Sequence, residues 1–250
     1  AVGRNIKQFH PDDEVFGDLC EGYWGGFAEY GCARENELTL KPSAMSFTEA
    51  EATPQAGLLA LQGLCDKTEI KPGQRILNNG AGGGVGTMAI QIAKSFGADV
   101  TGVDRTGKLD MMRSLGAGHV IDYTQEDFTK NGKCYDLILD AKTDRSIFDY
   151  RRALTSNGIY VTVGGRSARI LQLIFPGSLI SMTGRKRLAI IMHKPNKGIK
   201  ILNELIESGK VKPVIDRCFP LSETAEAFRY FGGGQFKGKM VIIVENNNKT

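Results

Sequence analysis

Short apolar runs alternate with helical patterns from Arg75 to Thr183, and this alternation limits the possible folds more than any other feature of the sequence. Such alternation is typical of strands joined by helical crossovers, which places the strands parallel in one sheet. The order predicts a doubly wound α/β fold, whose ligand binds outside the carboxyl ends of the strands. The six predicted strands are Arg75–Asn79, Asp99–Val103, His119–Asp122, Asp136–Asp140, Ile159–Val163 and Leu179–Thr183.

The segments that flank this region have other patterns. Residues 1–40 contain short runs punctuated by Gly and Pro, which predict small antiparallel strands. Phe47–Leu64 is helical, but the interior Pro54 and Gly57 are expected to kink or split the helix. The predicted elements after the sixth strand are a helix at Ile199–Ser208, a strand at Val214–Phe219, a helix at Ser222–Tyr230 and a strand at Lys239–Val244.

A glycine-rich turn from Asn79 to Gly86 joins the first predicted strand to a helix. Glycines let backbone N–H groups approach a phosphate closely, and a helix N-terminus adds a favourable dipole. The strict G-x-G-x-x-G spacing is not met, since Ala81 takes the first position before Gly83 and Gly86. For so loose a motif alone, a turn without a ligand is the alternative. With its strand–turn–helix context, the segment predicts a dinucleotide pyrophosphate bound across Ala81–Gly86.

Charged residues follow the second predicted strand. Asp104 lies 18 residues after Gly86, where a carboxylate can accept hydrogen bonds from ribose hydroxyls, and this favours NAD. Arg105 and Lys108 lie in the same loop, expected to be half-exposed, and could hold a 2′-phosphate, although solvated surface cations are an equal alternative. One acid against two bases leaves a net positive site, which tips the prediction towards NADPH with NADH also accepted.

Composition argues against several other classes of protein. The five cysteines form no C-x-x-C pair, so a disulfide scaffold and a four-cysteine zinc lobe are not expected. A net charge of +4 is too weak to argue for a nucleic-acid partner, and no apolar run is long enough for a bilayer. No basic-then-apolar leader opens the chain, which favours a cytoplasmic protein with neither nucleic-acid nor membrane partners. The three histidines, His10, His119 and His193, are isolated in the sequence and predict ordinary surface or loop positions.

An ordered set of short motifs covers nearly the whole chain. Together they resemble the medium-chain dehydrogenase/reductase superfamily, specifically its zinc-free quinone oxidoreductase branch, which includes zeta-crystallin. The motifs are G-G-F-A-E-Y (Gly25–Tyr30), K-P-G (Lys71–Gly73), A-G-G-G-V-G (Ala81–Gly86), L-G-A (Leu115–Ala117), V-I-D-Y (Val120–Tyr123), Y-D-L-I-L-D (Tyr135–Asp140), V-G-G (Val163–Gly165), G-K-V-K-P-V-I-D (Gly209–Asp216), P-L-S-E (Pro220–Glu223) and K-G-K-M-V (Lys237–Val241).

The resemblance implies a doubly wound, six-stranded parallel Rossmann sheet plus a partial, mainly β catalytic lobe. It implies a lobe over residues 1–55, a dinucleotide-binding domain over 56–190 and a segment over 191–250 that returns to the lobe. Relatives begin upstream of a segment like Ala1–Gly3, so the chain is expected to be N-terminally incomplete. The region from Phe175 to Ile180 pairs two subunits in relatives, which implies a homodimer.

The implied activity is zinc-independent, NAD(P)H-dependent hydride transfer to a quinone or conjugated carbonyl, a small-molecule substrate. Zinc-dependent relatives have a Cys ligand where this chain has Thr53–Leu58, a stretch without Cys, His or acid. No metal site and no catalytic acid are therefore predicted. A zinc-dependent alcohol dehydrogenase and a non-catalytic cofactor-binding protein, crystallin-like or truncated, are the alternatives.

The resemblance also assigns residues to parts of the cofactor. They are Gln55 on the nicotinamide side, Gly83, Gly84 and Val85 at the pyrophosphate, Lys108 and Tyr123 at the adenosine phosphate, and Asp140, Val163, Gly164 and Gly165 beside the nicotinamide ribose.

Overall fold

The computed structural model describes residues 1–22, 25–165, 167–177, 181 and 184–244. Its strands are β1 (Val15–Phe16), β2 (Thr39–Leu40), β3 (Arg75–Asn79), β4 (Asp99–Asp104), β5 (His119–Asp122), β6 (Tyr135–Asp140), β7 (Leu154–Thr162), β8 (Arg187–Ile190), β9 (Ile215–Pro220) and β10 (Lys239–Ile243). Its α-helices are α1 (Phe47–Ala52), α2 (Pro54–Cys65), α3 (Gly84–Ser95), α4 (Leu109–Ser114), α5 (Ile147–Arg152), α6 (Ser167–Gln172), α7 (Ile199–Glu207) and α8 (Thr224–Gly232).

Six of the strands form one parallel sheet in the order β5-β4-β3-β6-β7-β8. Within this sheet the chain begins at the central strand β3 and runs outwards through β4 to β5. It then crosses to β6 on the other side of β3 and continues outwards to β8. This is the strand order of a doubly wound fold, and the predicted fold class is confirmed. The order reverses between β3 and β6, so the crevice at the carboxyl ends of these two strands is the expected ligand position.

The core lies on both faces of this sheet because side chains alternate along each strand. Ile76 of β3 belongs to one buried cluster, and its neighbour Leu77 belongs to the other. The first cluster includes Leu58 and Leu64 of α2 and Met88 of α3. Helices therefore cover both faces, as a parallel sheet requires.

The helix predicted at Phe47–Leu64 is divided at Pro54, as expected. Ser46 caps α1: its Oγ accepts from the N–H of Glu49 at 3.2 Å, and the Glu49 carboxylate accepts from the Ser46 N–H at 2.9 Å. Pro54 opens α2, where a missing N–H costs nothing. The break sets the direction of α2, whose first turn carries Gln55.

The position of the sixth strand corrects the sequence prediction. Most of Leu179–Thr183 lies outside the described residues, and Ser181 within it has helical backbone. The strand that completes the sheet is β8, in which Arg187 pairs with Ile159 and Ile190 pairs with Thr162. Two partly apolar runs follow one another in the sequence here, and the pattern alone pointed to Leu179–Thr183 rather than to Arg187–Ile190.

Two smaller pairs of strands lie outside the main sheet. The antiparallel pair β1–β2 confirms the predicted small strands near the start of the chain. Strands β9 and β10 pair in parallel, and α8 runs between them. In the part of the chain that the structure describes, no helix has both the length and the apolar character needed to cross a bilayer.

Candidate cofactor site

The turn after β3 brings the strand and α3 into close contact. Gly80 has a φ of +85°, and its carbonyl accepts from the Gly83 N–H at 3.1 Å. A Cβ at Gly86 would overlap the Gly80 carbonyl oxygen and the backbone of Ala81. Gly86 is therefore required for helix–strand packing, which is the role of the third glycine in this class of turn.

Gly83 differs from Gly86 because its Cβ position faces open space. The nearest atom to a Cβ there would be the Gly80 oxygen at 3.5 Å, and the backbone of Gly83 is extended, with φ −92°. A Cβ atom would therefore fit there without strain. Packing within the protein thus does not require a glycine at position 83. A ligand that crosses the turn would require one, because it would occupy the space of a side chain.

The N-terminus of α3 points its free N–H groups out of this turn. The helix begins at Gly84 with Gly83 as its cap, and runs 12 residues. The N–H groups of Gly84, Val85 and Gly86 have no carbonyl partner within the helix, because the first turn has none to offer. Together with the helix dipole they form an anion site suited to a pyrophosphate.

Asp104 ends β4 beside the turn and is more enclosed than the sequence suggested. One carboxylate oxygen accepts from the Gly82 N–H at 2.9 Å, and the other from the Arg105 N–H at 2.9 Å. The Lys108 Nζ lies 3.8 Å from that second oxygen, and the side chains of Asp104 and Lys108 are only 2% and 3% exposed. The expectation of a half-exposed loop is wrong for these two residues, because the turn and the C-terminal segment cover them.

Lys108 fills the space above Gly82. A Cβ at Gly82 would collide with the Lys108 side chain, whose Nζ lies 5.0 Å from the centre of the Phe236 ring. Burial lowers the pKa of the Lys108 ammonium, and the carboxylate of Asp104 only partly opposes that effect. A buried cation whose charge costs this much desolvation is a group that a further anion would stabilise.

The segment before β10 crosses the glycine turn, a contact that sequence reasoning missed. The Gly238 N–H donates to the Gly82 carbonyl at 2.9 Å, and Gly83 and Gly238 form a parallel bridge. A Cβ at Gly84 would lie 2.9 Å from Cδ of Lys239. The K-G-K motif at residues 237–239 was a signal for this segment, but nothing in the spacing linked it to a turn so distant in the chain.

Asp140, at the end of β6, is completely buried in a hydrogen-bond network. Its Oδ1 accepts from the Asn79 side-chain amide and from the N–H groups of Lys142 and Thr143, each at 2.9 Å. Its Oδ2 accepts from the Tyr160 hydroxyl at 2.7 Å. Burial and the nearby Asp140 carboxylate raise the pKa of Tyr160, so the phenol stays protonated. Asp140 therefore positions the loop after β6, and both of its carboxylate oxygens accept hydrogen bonds from groups of the protein itself.

Thr143 joins the loops after β6 and β7. Its hydroxyl lies 2.6 Å from the Thr162 hydroxyl and donates to the Gly164 carbonyl. Gly165 has a φ of +147°, and a Cβ there would overlap the Thr143 side chain. The V-G-G motif therefore has a packing reason at Gly165, while the Cβ position of Gly164 faces open space.

Most of the predicted site residues gather at the carboxyl edge of the sheet. The Val163 N–H bonds the Asp140 carbonyl at 3.1 Å, and the Tyr123 N–H bonds the Asp104 carbonyl at 3.2 Å. Tyr123 is 41% exposed. Gln55 is exposed in the first turn of α2.

The sequence matches a known protein family over its second half. The family model described as "Zinc-binding dehydrogenase" matches residues 115–242, about half of the chain. The chain belongs to the medium-chain dehydrogenase/reductase superfamily. The resemblance inferred from the motifs is thereby confirmed.

Two of the curated relatives are named as a reductase and an oxidoreductase. The chain is 35% identical to the tomato (Solanum lycopersicum) "2-methylene-furan-3-one reductase", over 96% of this chain and 60% of that protein. It is 34% identical to the Arabidopsis thaliana "NADPH-dependent alkenal/one oxidoreductase, chloroplastic", over the same two shares of 96% and 60%. The chain thus spans about three fifths of these relatives' length. A nicotinamide cofactor is supported by these similarities.

A solved structure shows the same fold. The quinone oxidoreductase from Coxiella burnetii superposes with a TM-score of 0.82 at 26% identity, covering 98% of this chain and 76% of that one. The relatives and structural neighbours of this chain therefore include proteins named as an NADPH-dependent alkenal/one oxidoreductase and a quinone oxidoreductase.

Proposed function

We propose that this chain binds NADPH, with NADH also accepted, and transfers hydride to a quinone or conjugated carbonyl without zinc. The observation that carries the proposal is the open surface of Gly83 beside the free N–H groups of α3. The nicotinamide supplies the hydride chemistry when it is bound. The protein binds, orients and shields the reactants.

The assigned residues divide into three groups in this proposal. Gly83, Gly84 and Val85 contact the pyrophosphate, and Arg105, Lys108 and Tyr123 surround the adenosine phosphate. Asp140, Val163, Gly164 and Gly165 shape the wall beside the nicotinamide ribose, with Asp140 acting through the loop that it holds rather than through its enclosed carboxylate.

Zinc independence is proposed from the residues of α2. Its first turn presents Thr53, Pro54, Gln55, Ala56, Gly57 and Leu58, none of which can ligate zinc as Cys, His or a carboxylate does. Catalytic zinc needs three protein ligands and an open position, so the loss of one expected ligand favours chemistry without the metal.

The preference for NADPH follows from the enclosure of Asp104. Each of its two oxygens accepts a hydrogen bond from a backbone N–H group, and its charge is balanced by the ammonium of Lys108. A carboxylate held in this way repels a 2′-phosphate less than a free one. Arg105 lies partly exposed beside the same turn and adds positive charge.

Lys108 offers a direct test of cofactor preference. We expect Lys108→Met, which keeps most of the buried stem but removes the charge, to weaken NADPH binding by roughly tenfold, about 1.4 kcal/mol. NADH binding should change far less, because it lacks the 2′-phosphate that the ammonium would contact. The measurement is a pair of dissociation constants, by nicotinamide fluorescence, at one fixed ionic strength.

The matched control is Lys130→Ala, which removes one charge from a side chain that is 71% exposed. It should leave both dissociation constants nearly unchanged. Equal weakening of NADPH and NADH by Lys108→Met would show that Lys108 does not contact the 2′-phosphate.

Turnover separates an enzyme from a protein that only binds the cofactor. We expect NADPH oxidation in the presence of a simple ortho-quinone, at a rate that a zinc chelator does not change. Tight NADPH binding without turnover would favour a non-catalytic role. Loss of turnover on chelation, with recovery on zinc addition, would refute zinc independence.

The remaining assignments are also proposals. We propose the three-part organisation with boundaries near residues 55 and 190, a cytoplasmic location, and a homodimer formed through the region from Phe175 to Ile180. Sedimentation of the purified protein checks the dimer.

A further inference from the structure

Three potential metal-ligating side chains, none of them assigned to the cofactor site, meet from distant parts of the sequence. They are Asp18 and Cys20, just after β1, and His193, just after β8. Their ligand atoms lie within 4.8 Å of one another. Among the described residues, no other group of three or more His, Cys, Asp or Glu side chains has this arrangement.

The cluster is held in place by its own backbone. The Asp18 N–H donates to the side-chain oxygen of Asn196 at 2.9 Å, and the Asn196 amide donates back to the Asp18 carbonyl at 3.0 Å. The following loop is fixed to α2, since Gln62 bonds the carbonyls of Lys194 and Lys197 at 2.8 and 3.0 Å. The two halves of the cluster are therefore preorganised relative to each other.

The polar groups in the cluster are incompletely paired. His193 Nε2 lies 2.7 Å from Asp18 Oδ2, and the Asp18 side chain is only 5% exposed. His193 Nδ1 is buried without a hydrogen-bond partner. No Lys or Arg of the described residues forms a salt bridge with Asp18, whose buried carboxylate contacts the His193 imidazole.

We propose that Asp18, Cys20 and His193 bind a divalent cation of the zinc type, with one coordination position open to water. One oxygen, one sulfur and one nitrogen ligand are a donor set that suits Zn²⁺ better than Mg²⁺ or Ca²⁺. Bonds of about 2.0–2.3 Å place tetrahedral ligands roughly 3.3–3.8 Å apart, so a modest contraction of the cluster forms the site.

None of the three residues of this site belongs to the stretch Thr53–Leu58, where zinc-dependent relatives have a ligand. It was invisible to sequence spacing, because 173 to 175 residues separate His193 from its two partners. The isolated histidine of the sequence analysis is thus one of a group. Bound metal would join the segment after β1 to the segment after β8, and hydride transfer by the nicotinamide does not require it.

Cobalt substitution tests the proposal without reference to activity. Metal-free protein is titrated with Co²⁺ under reducing conditions. We expect one equivalent to produce a thiolate-to-cobalt charge-transfer band and the visible bands of tetrahedral Co²⁺, both abolished by Zn²⁺. Zn²⁺ should also raise the midpoint of thermal unfolding.

Variants assign the bands to the cluster. Cys20→Ser and His193→Gln should each weaken binding by at least about 100-fold, because even the loss of an outer-shell partner costs about 10–100-fold. The controls Cys218→Ser and His10→Gln change an exposed thiol and an exposed imidazole, and should bind Co²⁺ normally.

Two results would overturn the proposal. One is a titration of the folded protein with no charge-transfer band. The other is a band that survives Cys20→Ser but disappears in Cys218→Ser, which would place the thiolate ligand elsewhere. Folding of each variant is checked by circular dichroism before titration.

Discussion

Gly83→Val is expected to reduce affinity for both NADPH and NADH by at least about 100-fold, or about 2.7 kcal/mol, while leaving the fold intact. A branched side chain at this position would occupy the space over the first turn of α3, where the pyrophosphate is proposed to bind. It would not disturb the protein itself, because a Cβ there meets only the Gly80 oxygen, at the ordinary contact distance of 3.5 Å.

Two control variants separate a blocked cofactor site from a general effect of the added side chain. Gly232→Val adds the same side chain at a position with no atom within 4 Å of its Cβ, and should bind both cofactors normally. Gly86→Ala should instead lose stability, since its Cβ would overlap the backbone of Gly80 and Ala81. Full affinity in folded Gly83→Val would show that the cofactor does not cross this turn.

Asp140→Ala should destabilise the protein by about 3–5 kcal/mol, since it leaves several buried donors without an acceptor. The carboxylate is completely buried and accepts from Asn79, Lys142, Thr143 and Tyr160. A loss of this size is a large part of the stability of a typical domain. Urea unfolding, followed by circular dichroism, measures it.

Asp140→Asn separates hydrogen bonding from charge. The amide keeps the volume and one acceptor oxygen, while its NH₂ can donate to the Tyr160 hydroxyl, so we expect roughly half the loss. Asp110→Ala removes a fully exposed carboxylate on α4 and should have little effect on stability. Equal stability of Asp140→Ala and wild type would contradict a structural role for this network.

Local features of the cofactor site could be predicted from the sequence. The turn, its glycines and Asp104 lie within 26 consecutive residues, from Asn79 to Asp104, and each follows from strand–turn–helix–strand order. Burial of Asp104 and Lys108 could not be predicted, because the covering atoms come from Phe236 and Gly238. Packing between distant segments has no periodic signal in the chain.

The same reason explains the other differences. Arg187–Ile190 takes the sheet edge because its backbone pairs with β7, and the apolar character of Leu179–Thr183 carried no information about pairing. Asp18 and His193 come together only because the segments after β1 and β8 are joined through Asn196. Motif order identified the superfamily, while contacts across the fold required the structure.

The most direct test of the central claim follows the hydride itself. The protein is incubated with a simple enone and NADPH carrying deuterium at the transferable position of nicotinamide C4, and the product is examined by mass spectrometry and NMR. The account predicts one deuterium at the β-carbon of the saturated product and a solvent-derived proton at the α-carbon. A product without deuterium, or no reduction of either the enone or an ortho-quinone by protein that binds NADPH, would contradict it.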